Sequence, residues 1–382
     1  MPLKTARRGA IPPFYVMEVM RAAAEREQSG GDVLHLEAGQ PSTPAPSAVI
    51  AAARAALVQD SLGYTESLGV RPLRAAIAQW CATRYNVEIS PSRVVVTTGS
   101  SGGFILAFLA AFEAGDRVAM AAPGYPAYRN ILSALGVAPI SVPVGPETRF
   151  QPTPELLDRI PGRLDGLIVA SPSNPTGTML NASAFCALAE YCAERRIRLI
   201  SDEIYHGIVY GESAASALTA APDAIVVNSF SKYFSMTGWR LGWLVLPEDL
   251  LRPAECLAQN LFISAPSLSQ VAACKAFECV EELDGHVARY ARNREILLKG
   301  LPEVGFDRLA PADGAFYIYA DVSGLTKNSE MFCRELLAET GIAITPGIDF
   351  DPERGREAVR FSFAGKTETI EEALRRLRAR KR

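Results

Sequence analysis

The hydrophobic and polar positions of the chain form two kinds of pattern. From about residue 90, short apolar runs alternate with stretches of helical periodicity. These runs are continuously apolar, which is typical of strands covered on both faces by helices. The pattern predicts an α/β fold with a mostly parallel sheet, whose strands lie at residues 94–98, 117–121, 167–170, 197–201, 225–228 and 241–245.

After about residue 266 the pattern changes. Helical periodicity dominates first, and beyond it shorter elements follow, with strands at residues 316–320, 342–344 and 359–363 and a helix at 329–340. This part of the chain predicts a smaller α+β unit. We predict a large domain at residues 46–285. Residues 1–45 and 286–382 together would form an N-terminal arm and a small domain.

Composition and charge narrow the class of protein. The 382 residues are 48% apolar and 21% charged with a net charge of −3, which favours a soluble globular protein without nucleic-acid or membrane partners. The longest apolar run, residues 104–112, is much shorter than the roughly 20 residues of a membrane-spanning helix. Seven scattered cysteines without a CxxC pair favour reduced thiols and argue against a metal site, and residues 1–9 lack a signal-peptide pattern. We therefore expect a cytoplasmic protein.

Lys232 is the first candidate for chemistry. It follows the apolar run at residues 224–227, and burial and neighbouring cations lower the pKa of a lysine in such a place. A nucleophilic amine of this kind can form a Schiff base with the aldehyde of pyridoxal phosphate (PLP). Ser229 and Arg240 are close enough in sequence to bind the phosphate of the same cofactor. Taken alone, a lysine at a strand end is more often a surface residue.

Other candidates follow the other predicted strands. Because the carboxyl ends of parallel strands meet at one edge of a sheet, these residues belong near Lys232. Ser100 and Ser101 open an apolar helix whose free backbone N–H groups suit a phosphate, although an ordinary tight turn has the same sequence features. Tyr125 can stack on a planar ring or simply pack in its loop.

Three further residues fit the ring of PLP. Asn174 offers an amide N–H to the phenolate oxygen of the ring, and Tyr205 can donate to the same oxygen. Asp202 ends an apolar strand, where a carboxylate is costly without a partner. A protonated pyridine nitrogen would be that partner. The alternative for Asp202 is a carboxylate that caps the next turn.

Arg360 lies in an apolar strand at residues 359–363. A guanidinium in this setting forms either a buried ion pair or a two-pronged clamp for a carboxylate, and the clamp suits an amino-acid substrate. His206 is the histidine nearest to the candidate residues. We interpret it as structural, because Lys232 already supplies a base.

These residues resemble fold-type I PLP enzymes and, within them, the class I aminotransferases of the aspartate aminotransferase family. The resemblance covers nearly the whole chain and rests on three ordered motifs, at residues 173–177 (SNPTG), 202–205 (DEIY) and 229–240 (SFSKYFSMTGWR). It implies a large domain with a mostly parallel seven-stranded sheet between helices, a smaller α+β domain and PLP as the cofactor. It also implies a cis peptide bond before Pro175.

The resemblance implies a role for each position. Lys232 would form the aldimine with PLP and move the proton in catalysis. The other catalytic residues would be Asp202, paired with the pyridine nitrogen, and Tyr205, in contact with the ring oxygen. The other cofactor ligands would be Ser100, Ser101, Tyr125, Asn174, Ser229 and Arg240. The substrate carboxylate would meet Gly39, Asn174 and Arg360. Tyr64 would reach the cofactor phosphate of the partner subunit, so that the active unit would be a homodimer.

The expected function is transfer of an amino group from an L-amino acid to a 2-oxo acid by a ping-pong mechanism. A carbon–sulfur β-lyase or an aminocyclopropane-carboxylate-synthase-like enzyme would keep the same cofactor residues and eliminate instead. The aminotransferase-like half of a transcription regulator is a third hypothesis, disfavoured because only about 40 residues precede Pro41. The apolar segment at residues 11–17 favours neutral or aromatic donors over aspartate.

Overall fold

A seven-stranded sheet forms the centre of the protein, and the predicted α/β fold class is confirmed. The computed structural model describes residues 3–381. Within that range the strands are, in chain order, β1 (Leu34–His35), β2 (Val94–Thr97), β3 (Arg117–Ala122), β4 (Ala138–Pro143), β5 (Gly166–Ala170), β6 (Arg198–Asp202), β7 (Ile225–Ser229), β8 (Gly242–Val245), β9 (Arg308–Leu309), β10 (Tyr317–Asp321), β11 (Ile342–Ala343), β12 (Thr345–Pro346) and β13 (Ala358–Ser362).

Helices surround these strands. In chain order they are α1 (Tyr15–Gln28), α2 (Ser47–Gln59), α3 (Arg71–Tyr85), α4 (Gly99–Ala111), α5 (Pro126–Leu135), α6 (Pro154–Asp158), α7 (Ala182–Arg195), α8 (Ala217–Ala220), α9 (Glu248–Leu261), α10 (Ser267–Ala273), α11 (Val280–Glu303), α12 (Ser329–Thr340) and α13 (Thr367–Lys381). Short 3-10 helices lie at Arg7–Gly9, Pro91–Arg93, Pro146–Thr148, Thr237–Trp239, Ala276–Glu278, Gly347–Asp349 and Gly355–Glu357.

The large sheet has the strand order β2–β8–β7–β6–β5–β3–β4. All strands from β7 to β4 in this order run parallel to their neighbours, whereas β8 is antiparallel to both β2 and β7. Every residue of β2, β7 and β8 is buried. All six predicted strands of this sheet are present. Helices cover both faces of the sheet, so its strands are continuously apolar, and this is the pattern from which they were predicted.

The hydrophobic pattern does not reveal the seventh strand, β4. This strand lies at the edge of the sheet, and Val142 is its one buried residue. Its sequence, APISVP, contains two prolines. An edge strand pairs on one side only and therefore tolerates proline and polar exposure, so its pattern is weak.

A second, antiparallel sheet has the order β12–β13–β10–β9 and carries Arg360. In this sheet Arg360 of β13 lies opposite Tyr319 of β10 and Thr345 of β12. The N-terminal residues adjoin this region, since β1 pairs in parallel with β11 and α1 packs Ala23 against Ala343. The division at residues 45/46 and 285/286 stays a prediction. Helix α11 continues without a break across the second of these positions.

The helices agree in part with the sequence pattern. Helix α12 lies where the sequence pattern predicts it, and α4 is the apolar helix predicted to begin near Ser100. Among residues 3–381, no helix combines the length and the apolar composition needed to cross a membrane.

Candidate active site

A cavity of about 170 Å³ lies at the carboxyl edge of the large sheet, where the second sheet faces it. Ten of the twelve predicted site residues line this cavity, namely Gly39, Ser100, Ser101, Tyr125, Asn174, Asp202, Tyr205, Lys232, Arg240 and Arg360. The two that do not are Ser229 and Tyr64. The sequence motifs therefore converge on one place because the strands that precede them are neighbours in the sheet.

Lys232 lies just beyond the end of β7. Its Nζ donates a hydrogen bond to the carbonyl oxygen of Gly39 at 2.5 Å. Burial, together with the nearby cations Arg360 and Arg240, lowers the pKa of Lys232 to about 8 against the opposing effect of Asp202. The amine therefore loses its proton more readily than a surface lysine, which is what a nucleophile and proton carrier requires.

Asp202 ends β6 and is 4% exposed. Its carboxylate accepts hydrogen bonds from the hydroxyl of Tyr128 and from the N–H of Ile204, the latter at 3.1 Å. Both donors are neutral, and burial raises the pKa of Asp202 to about 6. A cation placed beside this carboxylate would favour its ionised form. A protonated pyridine nitrogen fits this requirement.

Asn174 lies in the loop after β5, and the peptide bond between Asn174 and Pro175 is cis, as predicted. The side-chain oxygen of Asn174 accepts a hydrogen bond from Nη1 of Arg360 at 2.9 Å. This leaves its amide nitrogen as the group that can donate to a ligand. Tyr205 follows β6, and its hydroxyl is 2.7 Å from the hydroxyl of Tyr317.

Arg360 is buried and hydrogen-bonded to neutral groups. Besides Asn174, its Nη2 donates to the carbonyl oxygen of Glu37 at 2.6 Å and to Oγ1 of Thr345 at 3.2 Å. Its Nε has no hydrogen-bond partner among the described residues. A buried guanidinium with an unused N–H and neutral partners favours the carboxylate clamp over the buried ion pair.

The start of helix α4 faces Arg240. Gly99 has a φ of +69°, and a Cβ at this position would lie 2.5 Å from Nη2 of Arg240. Ser100 and Ser101 follow in the first turn of α4, where the backbone N–H groups lack partners within the helix. Together with the guanidinium, this turn forms a cradle that suits a phosphate.

Ser229 and Tyr64 lie elsewhere. Ser229 is 1% exposed, and its hydroxyl contacts Oγ of Ser231 at 2.8 Å and the carbonyl oxygen of Leu241 at 3.1 Å. Ser231 lines the cavity in its place. Tyr64 is 84% exposed on the surface of its own chain. Their roles as phosphate ligands stay predictions.

Several residues in the lining escape the sequence reasoning. The hydroxyl of Tyr128 donates a hydrogen bond to Asp202. Tyr128 lies in the first turn of α5, three residues after Tyr125, which caps this helix, and this spacing is a signal that could have identified it. Tyr317 has no comparable signal, because only the packing of the second sheet brings it to Tyr205. The cavity also contains Ser231, Thr237, Phe14 and Val16.

Phe14 and Val16 line the cavity, and both belong to the apolar segment at residues 11–17. Asp349 fixes this segment, since its two carboxylate oxygens accept hydrogen bonds from the N–H groups of Tyr15 and Val16, each at 3.2 Å. The ring of Phe14 meets Tyr125 edge-on, with centroids 5.9 Å apart. Phe14 and Val16 therefore give the cavity an apolar wall.

His206 lies outside the cavity lining. One ring nitrogen contacts the carbonyl oxygen of Ser171 at 2.9 Å, and the other contacts the hydroxyl of Tyr85 at 2.8 Å. Burial lowers the pKa of His206. These contacts agree with a structural role.

The chain as a whole resembles known proteins over nearly its full length. The family described as aminotransferase class I and II matches residues 31–377. The valine–pyruvate aminotransferase of Mycobacterium tuberculosis is 56% identical over 378 residues, which cover 98% of this chain and 97% of that protein. A crystal structure of an aminotransferase from Mycobacterium tuberculosis has a TM-score of 0.97 at 55% identity and covers 99% of each chain. The aspartate aminotransferase of Thermus thermophilus, solved with maleate, has a TM-score of 0.93 at 31% identity over 100% of each chain.

Proposed function

The chain belongs to the aminotransferase class I and II family, and on that premise we propose that it transfers the amino group of a neutral, apolar L-amino acid to a 2-oxo acid. Amino-group transfer and dependence on PLP follow from the family, and elimination is not favoured. The proposal concerns the choice of donor and the residues that carry the reaction.

The residues of the cavity fit PLP in three places. Asp202 is a buried carboxylate without a cationic hydrogen-bond partner, the turn at Gly99 faces Arg240, and Lys232 has a lowered pKa. When bound, PLP supplies an aldehyde that condenses with amines and a pyridinium ring that withdraws electrons from the substrate α-carbon. Ser100, Ser101 and Arg240 would hold its phosphate, and Tyr125 would lie against its ring.

Lys232 is the proposed base. Since its pKa is lowered to about 8, the amine can accept a proton from the α-carbon of the donor and release it again near neutral pH. The carbonyl oxygen of Gly39 orients Nζ in the structure. Asp202 would keep the ring nitrogen protonated, and the hydroxyl of Tyr128 orients this carboxylate.

Arg360 is the proposed clamp for the α-carboxylate of both substrates. Its unused Nε and its position in the wall support a two-pronged contact, with the amide of Asn174 beside it. Gly39 is the proposed backbone contact for the same carboxylate. A side chain at this position would collide with the hydroxyl of Tyr317 and would narrow the cavity there.

One observation carries the proposed choice of donor. The cationic side chains in the lining are Lys232, Arg240 and Arg360, and each already has a role in base catalysis, phosphate binding or α-carboxylate binding. No further cation among the lining residues is left for a side-chain carboxylate such as that of aspartate. Phe14 and Val16 instead present an apolar wall. The name of the valine–pyruvate relative supports the same class of donor and pyruvate as an acceptor.

The test is a titration of the PLP-loaded enzyme with single amino acids, followed by absorbance, with ammonia measured in parallel. We expect valine, leucine and alanine to convert the cofactor to its amino form without ammonia release, and a 2-oxo acid to reverse the change. A faster conversion by aspartate than by these neutral donors would contradict the proposed specificity. Release of ammonia with an unchanged cofactor would contradict transamination.

We also propose that the active unit is a homodimer in which Tyr64 reaches the phosphate site of the partner subunit. Tyr64 is one of several large exposed side chains, with Leu57, Val58, Leu261 and Ile263. The segments that carry them adjoin, since the N–H of Thr65 donates to Ser264 and the hydroxyl of Ser267 donates to the carbonyl oxygen of Leu62. An exposed apolar patch of this kind favours burial against another chain.

Mixing two impaired variants tests this assembly. Tyr64→Glu weakens phosphate binding, and Lys232→Ala removes the base. A mixed dimer would contain one site with both an intact Lys232 and an intact Tyr64, so mixing should restore activity that neither variant has alone. Failure to restore activity, with a monomeric mass by analytical ultracentrifugation, would contradict the proposal.

We propose a cytoplasmic location for the enzyme. All seven cysteines are free thiols, which supports a reducing compartment. Fractionation of cells that express the chain tests this proposal, and recovery outside the cytoplasmic fraction would contradict it.

A further inference from the structure

Two buried tyrosines meet in the lining of the cavity. The hydroxyl oxygens of Tyr205 and Tyr317 are 2.7 Å apart, and their rings are nearly perpendicular, at 81°, with centroids 5.6 Å apart. The side chains are 4% and 1% exposed. Tyr205 follows β6 of the large sheet, and Tyr317 begins β10 of the second sheet. This hydrogen bond therefore connects the two sheets across the cavity.

Tyr317 also contacts other parts of the site. The guanidinium carbon of Arg360 lies 4.3 Å from the centroid of the Tyr317 ring. The Tyr317 hydroxyl lies against Gly39, where a Cβ would be 2.2 Å away. The carbonyl oxygen of Gly39 in turn accepts the hydrogen bond from Lys232. One tyrosine thus touches the proposed clamp, the residue that orients the base and the proposed ring-oxygen donor.

The direction of the hydrogen bond between the tyrosines follows from the number of hydrogens. A tyrosine hydroxyl has one hydrogen to donate and can accept another. Burial raises the pKa of both tyrosines, so both keep this hydrogen at neutral pH. If Tyr205 donates its hydrogen to the phenolate oxygen of PLP, then Tyr317 must be the donor between the two hydroxyls. Hydrogen bonds in such a chain strengthen one another.

We propose that Tyr317 is a positioning residue for transamination, because its hydroxyl donates to Tyr205 and its ring supports the guanidinium of Arg360. The hydroxyl strengthens the hydrogen bond from Tyr205 to the cofactor, and the ring holds the clamp in place for the substrate carboxylate. This inference rests on the proposed roles of Tyr205 and Arg360. The charged groups that face the pair are Arg360 from β13, Asp202 from β6 and Lys232, whose Nζ is 5.9 Å from the centroid of the Tyr205 ring.

Tyr317→Phe removes the hydroxyl and keeps the ring, so it tests the contribution of the hydroxyl alone. Weaker donation to the phenolate oxygen leaves the deprotonated form of the bound cofactor less stable, so the pKa of the pH-dependent absorbance change of the holoenzyme should rise by about 0.4 to 1 unit. The dissociation constant of PLP should rise about two- to tenfold. The KM for the amino donor should stay unchanged, because the phenyl ring still lies beside Arg360.

Tyr317→Leu removes the ring as well. We expect this variant to raise the KM for the amino donor by a further factor of about 3 to 10, since the contact between a cation and an aromatic face is lost. Tyr319→Phe on the same strand is the matched control. Tyr319 is 7% exposed and packs against Phe150 and Phe350, and its substitution should change neither the absorbance pKa nor the KM.

Tyr205→Phe distinguishes failure of this inference from failure of the proposed function. Tyr205→Phe should shift the absorbance pKa at least as far as Tyr317→Phe, and the double variant should shift it no further than Tyr205→Phe alone. A shift in Tyr205→Phe with none in Tyr317→Phe would overturn only the role of Tyr317. No shift in either variant would overturn the role of Tyr205. A Tyr317→Phe protein that folds but takes up no PLP would also overturn the inference, because loss of one hydrogen bond cannot abolish binding.

Discussion

The two sides of the cavity are built in different ways. The side proposed to hold PLP, called here the cofactor face, consists of Ser100, Asn174, Asp202 and Lys232, each of which ends or follows a strand of the large sheet. The substrate wall consists of Phe14, Val16, Tyr317 and Arg360, which come from the N-terminal segment and the second sheet. The cofactor face thus depends on local motifs at one sheet edge. The substrate wall depends on contacts between residues that are far apart in sequence, such as Val16 and Asp349.

The two sides of the cavity also differ in the chemistry of their side chains. The cofactor face contains charged and hydrogen-bonding groups of the kind that suit PLP-dependent transamination. The substrate wall contains one cation, Arg360, and otherwise aromatic and aliphatic side chains. We therefore expect substitutions on the cofactor face to reduce turnover with every donor. On the wall, a substitution at Arg360 should weaken the binding of every amino donor, whereas a substitution at Phe14 should change the preference among donors.

Removal of the base should have the largest effect. Lys232→Ala should lower turnover at least about 1,000-fold with all donors, because the proton then has no positioned carrier and the cofactor no covalent attachment. Single-turnover absorbance measurements and dialysis of PLP check this. Lys275→Ala, at a surface lysine paired with Glu278, is the control. A rate near that of the wild type would refute the assignment.

Asp202→Asn should lower turnover about 100-fold, because a neutral amide no longer stabilises a protonated ring nitrogen.

Without PLP the same substitution should stabilise the protein. Burial raises the pKa of Asp202 to about 6, above the value of about 4 in an unfolded chain. The folded chain then binds this proton more tightly than the unfolded chain, so the free energy of unfolding falls as the pH rises from about 4 to about 6.

Chemical denaturation of the PLP-free proteins measures this contribution. At pH 7.5 the Asp202→Asn protein should be more stable than the wild type by at most about 3 kcal/mol, and the difference should vanish below about pH 4. Asp249→Asn, at an exposed carboxylate paired with Arg198, should show no such gain. Equal stabilities at pH 7.5 would contradict an unpaired buried charge at Asp202.

On the substrate wall, Arg360→Lys should lower kcat/KM for amino donors about 100-fold, because lysine cannot make the two-pronged contact with a carboxylate. The dissociation constant of PLP should remain within about twofold, since Arg360 does not belong to the cofactor face. Arg308→Lys, at an exposed arginine paired with Asp321, serves as the comparison. An equal loss of PLP affinity and substrate affinity would show that the two sides do not act separately.

The smallest effect is expected at Phe14. Phe14→Ala should lower kcat/KM for leucine about tenfold relative to alanine, because a large apolar donor loses more contact with the wall than a small one. Phe14→Leu, which keeps an apolar side chain, should retain most of the preference. An equal loss with both donors would contradict a role of Phe14 in the choice of donor.

The sequence predicted most of the residues that line the cavity from the large sheet, and fewer of those that line it from the N-terminal segment and the second sheet. Asn174, Asp202 and Lys232 each follow a continuously apolar run, and the topology of parallel strands brings such residues to one edge. Arg360 was identifiable because a guanidinium is unusual in an apolar strand. Tyr317 was not, since an aromatic residue at the start of a strand is ordinary, and only the 2.7 Å contact with Tyr205 distinguishes it.

Ser229 and Ser231 are a second case in which the sequence does not determine which residue lines the cavity. Both lie in the motif around Lys232, and the spacing alone does not tell which hydroxyl enters the cavity. The structure turns Ser231 toward the cavity and buries Ser229 against the carbonyl oxygen of Leu241. That choice depends on the backbone conformation between β7 and Lys232.

The sequence by itself determined the α/β class, the order of the strands along the chain and the residues at their carboxyl ends, because these follow from local hydrophobic periodicity and turn chemistry. The tertiary structure alone decided the position of Tyr317 against Tyr205 and Arg360, the fixing of Phe14 and Val16 through Asp349, and the place of β4 at the sheet edge. These features result from packing between distant segments, which hydrophobic periodicity does not encode.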